Sequence, residues 1–296
     1  MTMPKISLVI CSRNRAERLS AMLGMLNFDD ITRNGVELNL IDSASTDSTH
    51  DAMHEFKRKY AFHVNVGQAD RPGLGLARNV GIQLSSGDVI VFTDDDCYIH
   101  HEYFTSLSSL WDGKAFQYGG GQILLFDESA DPRVASLTIE RREDIPPSTI
   151  LPPGFVQGAN MFFVREVFQR AGLFNENMGM GTPFVCEDIE MATRASLHGF
   201  RGVLLPELKV LHDHGRKRGT LEADRTVEGY DFGRGAYYAS LIATGHRRAW
   251  ELWARETQAR VCTAAPAIAK LAREMDGARH YLEFLAKNSG ETGGPR

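Results

Sequence analysis

The fold is decided by the stretch GDVIVFTDDDC, residues 87–97. Its apolar part, Val89 to Phe92, is a short uninterrupted run, as expected of a strand buried on both faces of a parallel sheet. Three carboxylates follow at once, and the carboxyl ends of such strands border the crevice where open α/β sheets bind ligands. If the strand continues, Asp94 and Asp96 point to the same side, because side chains alternate with a period of two.

Two interpretations of this acidic triplet are open. Paired hard oxygen donors indicate a site for Mg²⁺ or Mn²⁺, held together with substrate phosphates. An acidic turn that caps the next helix is the plainer alternative, since Asp is common in turns. The surrounding sequence has to decide between the two.

Strands and helices alternate before the triplet. Predicted strands cover three ranges: Ile6–Ile10, Val36–Ile41 and Phe62–Val66. This alternation indicates βαβ units and a parallel sheet. Ser12, Asp42 and Asp94 each follow one of the predicted strands, so we expect them at the same edge of the sheet.

A glycine-rich turn at Gly73 and Gly75 precedes the next helix. It does not match GxGxxG and follows the third strand rather than the first, so a Rossmann dehydrogenase is disfavoured. Arg78, on that helix, either reaches a phosphate or is an exposed residue in an ion pair. The spacing alone favours neither role.

Composition narrows the class of protein. The 296 residues are 43% hydrophobic and 24% charged, which is ordinary for a globular protein. The net charge of -5 argues against nucleic-acid binding. Four widely spaced cysteines without a CxxC pair indicate neither a zinc site nor disulfides, and the start lacks a signal-peptide pattern. No apolar run is long enough to span a bilayer. We therefore expect a cytoplasmic protein.

The pattern changes after the triple glycine at 119–121. Residues 122–126 resemble an antiparallel strand, and the long polar stretch 127–154 is expected to be functional or mobile. A helix starting near Cys186 places Glu187 and Asp188 in its first turn, where the helix dipole favours negative charge. A last strand ends at the segment His212-Asp213-His214.

The remaining chain is helical in pattern. Predicted helices cover 230–243 and 249–275, and the glycine-rich end is expected to be disordered. We predict an α/β domain over residues 1–216, a C-terminal helical extension over 217–288 and a disordered tail over 289–296. Trp250 and Trp253 lie among several arginines. They would rest on a membrane surface, or else pack on their own domain or a second subunit of a homodimer.

Taken together, these segments resemble family 2 glycosyltransferases. The matching segments, in order, are SLVICSRNRAERL, NLIDSASTDST, GLGLARNVGI, GDVIVFTDDDC, GANMFFVREVFQRAGLFNE, GMGTPFVCEDIEMATRASLHGF and VLHDHG. They span residues 5 to about 215. The resemblance implies a GT-A fold, which is a Rossmann-like, mainly parallel mixed sheet flanked by helices, and an inverting enzyme that uses nucleotide-sugars. The C-terminal helices lie outside it.

The resemblance implies a donor site at the first sheet edge. Asp42 would contact the nucleobase. Ser12 and Arg15 would line the same nucleotide pocket, with Arg78 near it. Asp95 would belong to this donor-binding group.

The resemblance also implies a divalent cation, Mn²⁺ or Mg²⁺, that bridges the donor diphosphate. Asp96 would coordinate it, and Asp94 would lie near the ribose or the metal. One histidine after the last strand would complete the site. His212 and His214 have the same period-two orientation, and the sequence does not choose between them.

Asp188 would be the catalytic base, with Glu187 as its neighbour. A single base without a carboxylate nucleophile fits inversion by direct displacement. The expected reaction is sugar transfer from a nucleoside-diphosphate donor, with a UDP-sugar favoured, in glycan, polysaccharide or glycoconjugate biosynthesis. The acceptor would be a saccharide, a lipid-linked group or a small molecule, recognised by residues 127–154 and the C-terminal helices. The alternatives are a nucleotidyltransferase that makes a nucleotide-sugar, and a non-catalytic sugar-nucleotide or glycan-binding module.

Overall fold

A nine-stranded mixed sheet forms the centre of the structure, a computed structural model that describes residues 4–60, 63–261 and 266–289. The strands are β1 (Ile6–Ser12), β2 (Glu37–Asp42), β3 (Val64–Gln68), β4 (Val89–Asp94), β5 (Cys97–Ile99), β6 (Tyr118–Leu125), β7 (Glu143–Ile145), β8 (Met161–Val164) and β9 (Gly202–His212). The helices are α1 (Ala16–Gly24), α2 (Phe28–Arg33), α3 (Thr49–Lys59), α4 (Leu74–Leu84), α5 (Tyr103–Leu110), α6 (Arg165–Ala171), α7 (Glu187–Leu197), α8 (Leu221–Ala243), α9 (Arg248–Val261) and α10 (Pro266–Ser289).

The strand order is β3-β2-β1-β4-β8-β6-β9-β5, and β7 pairs with β9. Strands β1 to β4 run parallel, whereas β8 runs antiparallel to both β4 and β6. The register places Ser12 opposite Asp42 and Cys11 opposite Asp94. The predicted, mainly parallel sheet is confirmed, and so is the expectation that the polar strand ends share one edge.

Aromatic packing fixes the position of β4. Phe92 lies edge-on to Phe163, Phe168 and Phe174, with ring centroids 5.4 to 6.3 Å apart. Such pairs contribute about 0.5–1.5 kcal/mol each beyond the burial of their apolar area. Because Phe92 is only two residues before Asp94, this cluster holds the start of the acidic triplet in place.

Two expectations about the middle of the chain are corrected. Strand β6 pairs antiparallel with β8 but parallel with β9, so it is not a purely antiparallel strand. The polar stretch 127–154 contains β7, which was not predicted. Only Ile145 of β7 is buried, while Glu143 and Asp144 are exposed, so this strand has no apolar alternation to detect.

The C-terminal helices pack on each other through glycines. A Cβ atom on Gly235 of α8 would lie 1.7 Å from the carbonyl oxygen of Glu274, and one on Gly277 would lie 1.9 Å from that of Phe232. The two helix backbones of α8 and α10 therefore approach as closely as only glycine allows.

The helical extension also differs from its predicted bounds. Helix α8 starts at Leu221, earlier than expected. The second predicted helix, 249–275, corresponds to α9 and to the first part of α10, and residues 262–265 between them lie outside the described residues. Phe62 of the third predicted strand also lies outside them, as does the predicted tail except for Ser289, which ends α10. In the part of the chain that the structure describes, no helix is both long and apolar enough to cross a membrane.

Candidate active site

Two joined cavities open at the carboxyl ends of the parallel strands. The first, here called the β1 cavity, has a volume of about 680 Å³ and is lined by Ser12, Arg15 and the triplet 94–96. The second, called the α7 cavity, has a volume of about 310 Å³ and is lined by Arg78, Glu187 and Asp188. Both cavities border on seven of the same side chains: Leu74, Asp94, Val134, Met180, Val185, His212 and Tyr230. They are therefore two arms of one site.

The acidic triplet is held by side chains of the β1–α1 region. Ser12 Oγ donates a hydrogen bond to Asp95 Oδ2 at 2.6 Å. The half-buried Arg15 guanidinium forms ion pairs with both Asp95 and Asp96. Alternation along a continuing strand, one way for Asp94 and Asp96 to share a side, does not occur, because β4 ends at Asp94 and the chain turns. This turn still brings Asp94 and Asp96 together.

The surroundings of the three Asp side chains shift their pKa values in different directions. Burial raises the pKa of Asp95 to about 6, although the Arg15 charge opposes that rise. Burial also raises the pKa of Asp94. For Asp96 burial acts in the same direction, but the hydrogen bond and charge of His212, with those of Arg15, outweigh it and hold the pKa well below its usual range. Asp96 is therefore ionised at any physiological pH.

The side chains around Asp96 have the chemistry of a divalent cation site. Ligand atoms of Asp94, Asp96, Cys97 and His212 all lie within 4.8 Å of one another. Burial raises the pKa of the Cys97 thiol well above its ordinary value, so it stays protonated and is a poor ligand. Two carboxylates, whose oxygens suit Mn²⁺ or Mg²⁺, and an imidazole nitrogen remain as ligands. The residues present therefore fit the cation that the resemblance implies.

The two candidate histidines occupy different places. His212 Nε2 lies 3.2 Å from Asp96 Oδ1, and its Nδ1 lies 3.3 Å from the carbonyl oxygen of Ala135, a contact of the kind that orients a ligating imidazole. His214 is also buried, but its Nδ1 accepts a hydrogen bond from the backbone N–H of Arg216 and it is not in the cluster. Of the two, the structure brings His212 to the carboxylates.

Asp188 lies in the first turn of α7, at the wall of the α7 cavity. Backbone N–H groups of Gly158 and Ile189 donate to its two oxygens at 2.8 and 2.7 Å. Desolvation by the surrounding protein and the neighbouring charge of Glu187 raise the pKa of Asp188 to about 7, against the opposing charge of Arg78. The carboxylate is fixed in position while its proton affinity is high.

Arg78 joins the two arms of the site. Its side chain is 3% exposed, forms an ion pair with Glu187, and has Nη2 3.5 Å from Asp94 Oδ1. Of the two roles left open for it, ion pairing is what the structure shows, but the residue is buried rather than exposed. A Cβ on Gly158 would lie 2.3 Å from Arg78 Nη2, so only glycine leaves room for the guanidinium there.

Asp42 does not line either cavity. It is fully buried, and its oxygens accept hydrogen bonds from the Ser45 backbone N–H at 3.1 Å and from Gln68 Nε2 at 3.0 Å. Its neighbour Ser43 lines the β1 cavity instead. The contact of Asp42 with a nucleobase thus stays a prediction.

Several lining residues were missed by sequence reasoning. They include Arg13 and Asn14 after β1, and Arg216, Arg225 and Tyr230 from the C-terminal part of the chain. Arg13 and Asn14 lie within the segment SLVICSRNRAERL but were given no role, and no motif marks the other three positions. Arg225 and Tyr230 line the site because they lie on the face of α8 that borders the β1 cavity.

Comparison with known structures establishes the fold class. The structure of residues 1–349 of Staphylococcus aureus TarS matches with a TM-score of 0.58 at 16% identity, over 93% of this chain and 80% of that one. A mannosyltransferase, PcManGT from Pyrobaculum calidifontis in complex with GDP-Man and Mn²⁺, matches with a TM-score of 0.56 at 18% identity, over 95% and 88%. The fold is that of the GT-A glycosyltransferases.

Sequence comparison gives the family. A model described as glycosyl transferase family 2 matches residues 7–171, more than half of the chain. Glycosyltransferase AglE of Haloferax volcanii is 24% identical over 203 residues, which is 67% of this chain and 64% of that protein. The poly(ribitol-phosphate) beta-N-acetylglucosaminyltransferase TarS of S. aureus is 27% identical over 100 residues, 34% of this chain and 18% of that protein. The chain thus spans less than two thirds of either relative. It belongs to glycosyl transferase family 2.

Proposed function

We propose that this protein is an inverting, metal-dependent glycosyltransferase that moves a sugar from a nucleoside diphosphate to an acceptor hydroxyl. One observation carries the proposal: a carboxylate cluster that contains the ionised Asp96 lies in one of two joined cavities, and Asp188, a carboxylate of raised pKa, lies in the other. The first suits a metal-bound leaving group, and the second suits a base for the incoming hydroxyl.

The β1 cavity would hold the donor. Asp94, Asp96 and His212 would bind Mn²⁺ or Mg²⁺, and when bound this cation acts as a Lewis acid toward the charge that develops on the diphosphate. Ser12 and Arg15 hold Asp95 and Asp96 in place, so the ligands are oriented before the donor arrives. A UDP-sugar is the favoured donor, supported by the TarS structure in complex with UDP-GlcNAc, although PcManGT was solved with GDP-Man.

The α7 cavity would hold the acceptor. Asp188 would accept the proton of the attacking hydroxyl as the new bond forms, and its raised pKa makes it a better base than a free aspartate. The two backbone N–H groups on its oxygens fix the carboxylate, and Arg78 holds Glu187 beside it. A base on one side and a leaving group on the other support a single displacement with inversion.

Acceptor recognition would fall on the remaining walls of the α7 cavity. Residues 132–136 and 153–154 of the polar stretch 127–154 line it, with Asp231 and Arg234 of α8 and Lys270 of α10. A saccharide, a lipid-linked group or a small molecule stay as candidate acceptors. Trp253 is buried against its own helices, whereas Trp250 is 55% exposed. A cytoplasmic location, a membrane contact and a homodimer through the C-terminal helices stay predictions.

The proposal is tested by product analysis. The protein is incubated with Mn²⁺, a panel of nucleotide-sugars and water or simple glycosides as acceptors, and the released phosphates are separated. A glycosyltransferase releases a nucleoside diphosphate. Release of pyrophosphate from a nucleoside triphosphate and a sugar phosphate would identify a nucleotidyltransferase instead. Nucleotide-sugar binding without any release would identify a non-catalytic module, and thermal-shift titration with nucleoside diphosphates measures that binding separately.

A further inference from the structure

Helix α8 supplies one wall of the β1 cavity. Four of its residues line that cavity: Arg225, Thr226, Gly229 and Tyr230. Their spacing of one, four and five positions places them on a single face of the helix. A Cβ on Gly229 would meet no atom within 4 Å, as expected for a position that faces open space. The C-terminal extension is therefore part of the cavity.

The arginines of the β1 cavity differ in what they already bind. Arg15 is paired with Asp95 and Asp96. Arg216 donates to the His214 carbonyl oxygen and lies 3.7 Å from Glu222. Like Arg13 of the same cavity, Arg225 has no ion pair or side-chain hydrogen bond with any residue in the described ranges, and its side chain is exposed in the cavity wall. It is a cation available to a ligand.

The position of Arg225 along α8 indicates which part of a donor it would meet. Tyr230 borders both cavities and therefore marks the junction where the sugar is transferred. Arg225 lies five residues away, about 7.5 Å of helix rise, on the side of the β1 cavity away from the acceptor arm. Arg225 therefore lies on the nucleoside side of the transferred sugar. The diphosphate of a donor would lie there, beside Asp94 and Asp96.

We propose that Arg225 binds the diphosphate of the nucleotide-sugar donor, so that α8 contributes a donor-binding residue from outside the family-matched region. This inference rests on the proposed function. A guanidinium offers paired N–H donors that match phosphate oxygens, and its contact with an anion is charge-assisted.

The test compares UDP and UMP, which differ by the terminal phosphate, by calorimetric titration in the presence of Mn²⁺. For the wild-type protein UDP binds more tightly than UMP. In Arg225→Gln this preference falls about tenfold, the loss expected of one charge-assisted contact, while UMP affinity changes little. Arg225→Lys keeps part of the preference. The matched control is Arg33→Gln, an exposed arginine on α2 away from both cavities, which leaves the preference unchanged.

Two outcomes would overturn the inference alone. One is an unchanged preference for UDP in Arg225→Gln, and the other is an equal loss of UDP and UMP affinity. If the wild-type protein binds GDP rather than UDP, the same comparison is made with GDP and GMP. Failure of the wild-type protein to bind any nucleoside diphosphate contradicts the proposed function itself, which separates that failure from failure of the Arg225 assignment.

Discussion

Asp96 and Asp188 each lie beside another carboxyl group, yet their surroundings change their pKa in opposite directions. Asp96 is paired with Arg15 and His212, and these contacts lower its pKa despite burial. Asp188 is desolvated next to Glu187, and within the described ranges its direct hydrogen-bond donors are backbone N–H groups, so its pKa rises. The same residue type is thus held as a permanent anion in one arm of the site, whereas in the other arm its pKa is raised to about 7.

This difference teaches that the role of a carboxylate is set by its partners. Paired cations suit a ligand that must stay charged. Backbone N–H groups fix a carboxylate without neutralising it, which suits a group that has to gain and lose a proton. Arg78 lies between the two arms, in an ion pair with Glu187 and 3.5 Å from Asp94.

The largest effect is expected from Asp188→Asn. Asparagine has the same shape but accepts no proton, so sugar transfer should fall by about 10²–10⁴-fold, the usual contribution of a general base. The measurement is the rate of nucleoside diphosphate release with saturating donor and acceptor. Asp70→Asn, at an exposed position, is the matched control and should keep full activity. Normal turnover by Asp188→Asn would refute the base assignment.

A second prediction concerns the residue between the two arms. Arg78→Met leaves Glu187 buried without its partner, and breaking a buried ion pair costs about 3–5 kcal/mol. Urea unfolding should show this loss. The matched control is Arg71→Met. Arg71 precedes the same helix and pairs with Glu176 on the surface, so its loss should lower the free energy of unfolding by only about 0–1 kcal/mol. Equal losses in the two variants would show that Arg78 has no special role.

The pH dependence of transfer gives a smaller, graded effect. Because Asp188 acts as a base only when ionised, and its pKa is raised to about 7, the turnover rate should fall as pH drops through that value. Well below it the fall approaches about tenfold per pH unit, as for any single protonation. The profile is measured with saturating donor and Mn²⁺. A rate that stays constant down to about pH 5 would contradict the raised pKa.

Local sequence patterns predicted much of the site. The apolar run before Asp94 and the start of the helix at Glu187 are both signalled by neighbouring residues. In the structure β4 ends at Asp94 and α7 begins at Glu187. The choice between His212 and His214 was not predictable. It depends on the register that pairs Cys97 with His212, and β5, which contains Cys97, has too few residues to show a pattern.

Contacts between distant parts of the chain could not be predicted from local sequence patterns. Arg225 and Tyr230 line the site because one face of α8 borders the β1 cavity, and no spacing within α8 reveals that placement. The burial of Arg78 likewise depends on Gly158, some eighty positions later in the chain, which leaves space for its guanidinium. Periodicity identifies the elements, whereas tertiary packing decides which of their polar residues meet.

The most direct test of the account compares Asp96→Asn with Asp188→Asn in one titration. The nucleoside diphosphate that the wild-type protein prefers is titrated calorimetrically into each variant, with and without Mn²⁺. We predict that Asp188→Asn binds the nucleotide as the wild type does, with the same gain in affinity from Mn²⁺. In Asp96→Asn this gain in affinity should be smaller by a factor of about 10–100 or more. Loss of the enhancement in Asp188→Asn with its retention in Asp96→Asn would contradict the division of roles between the two carboxylates.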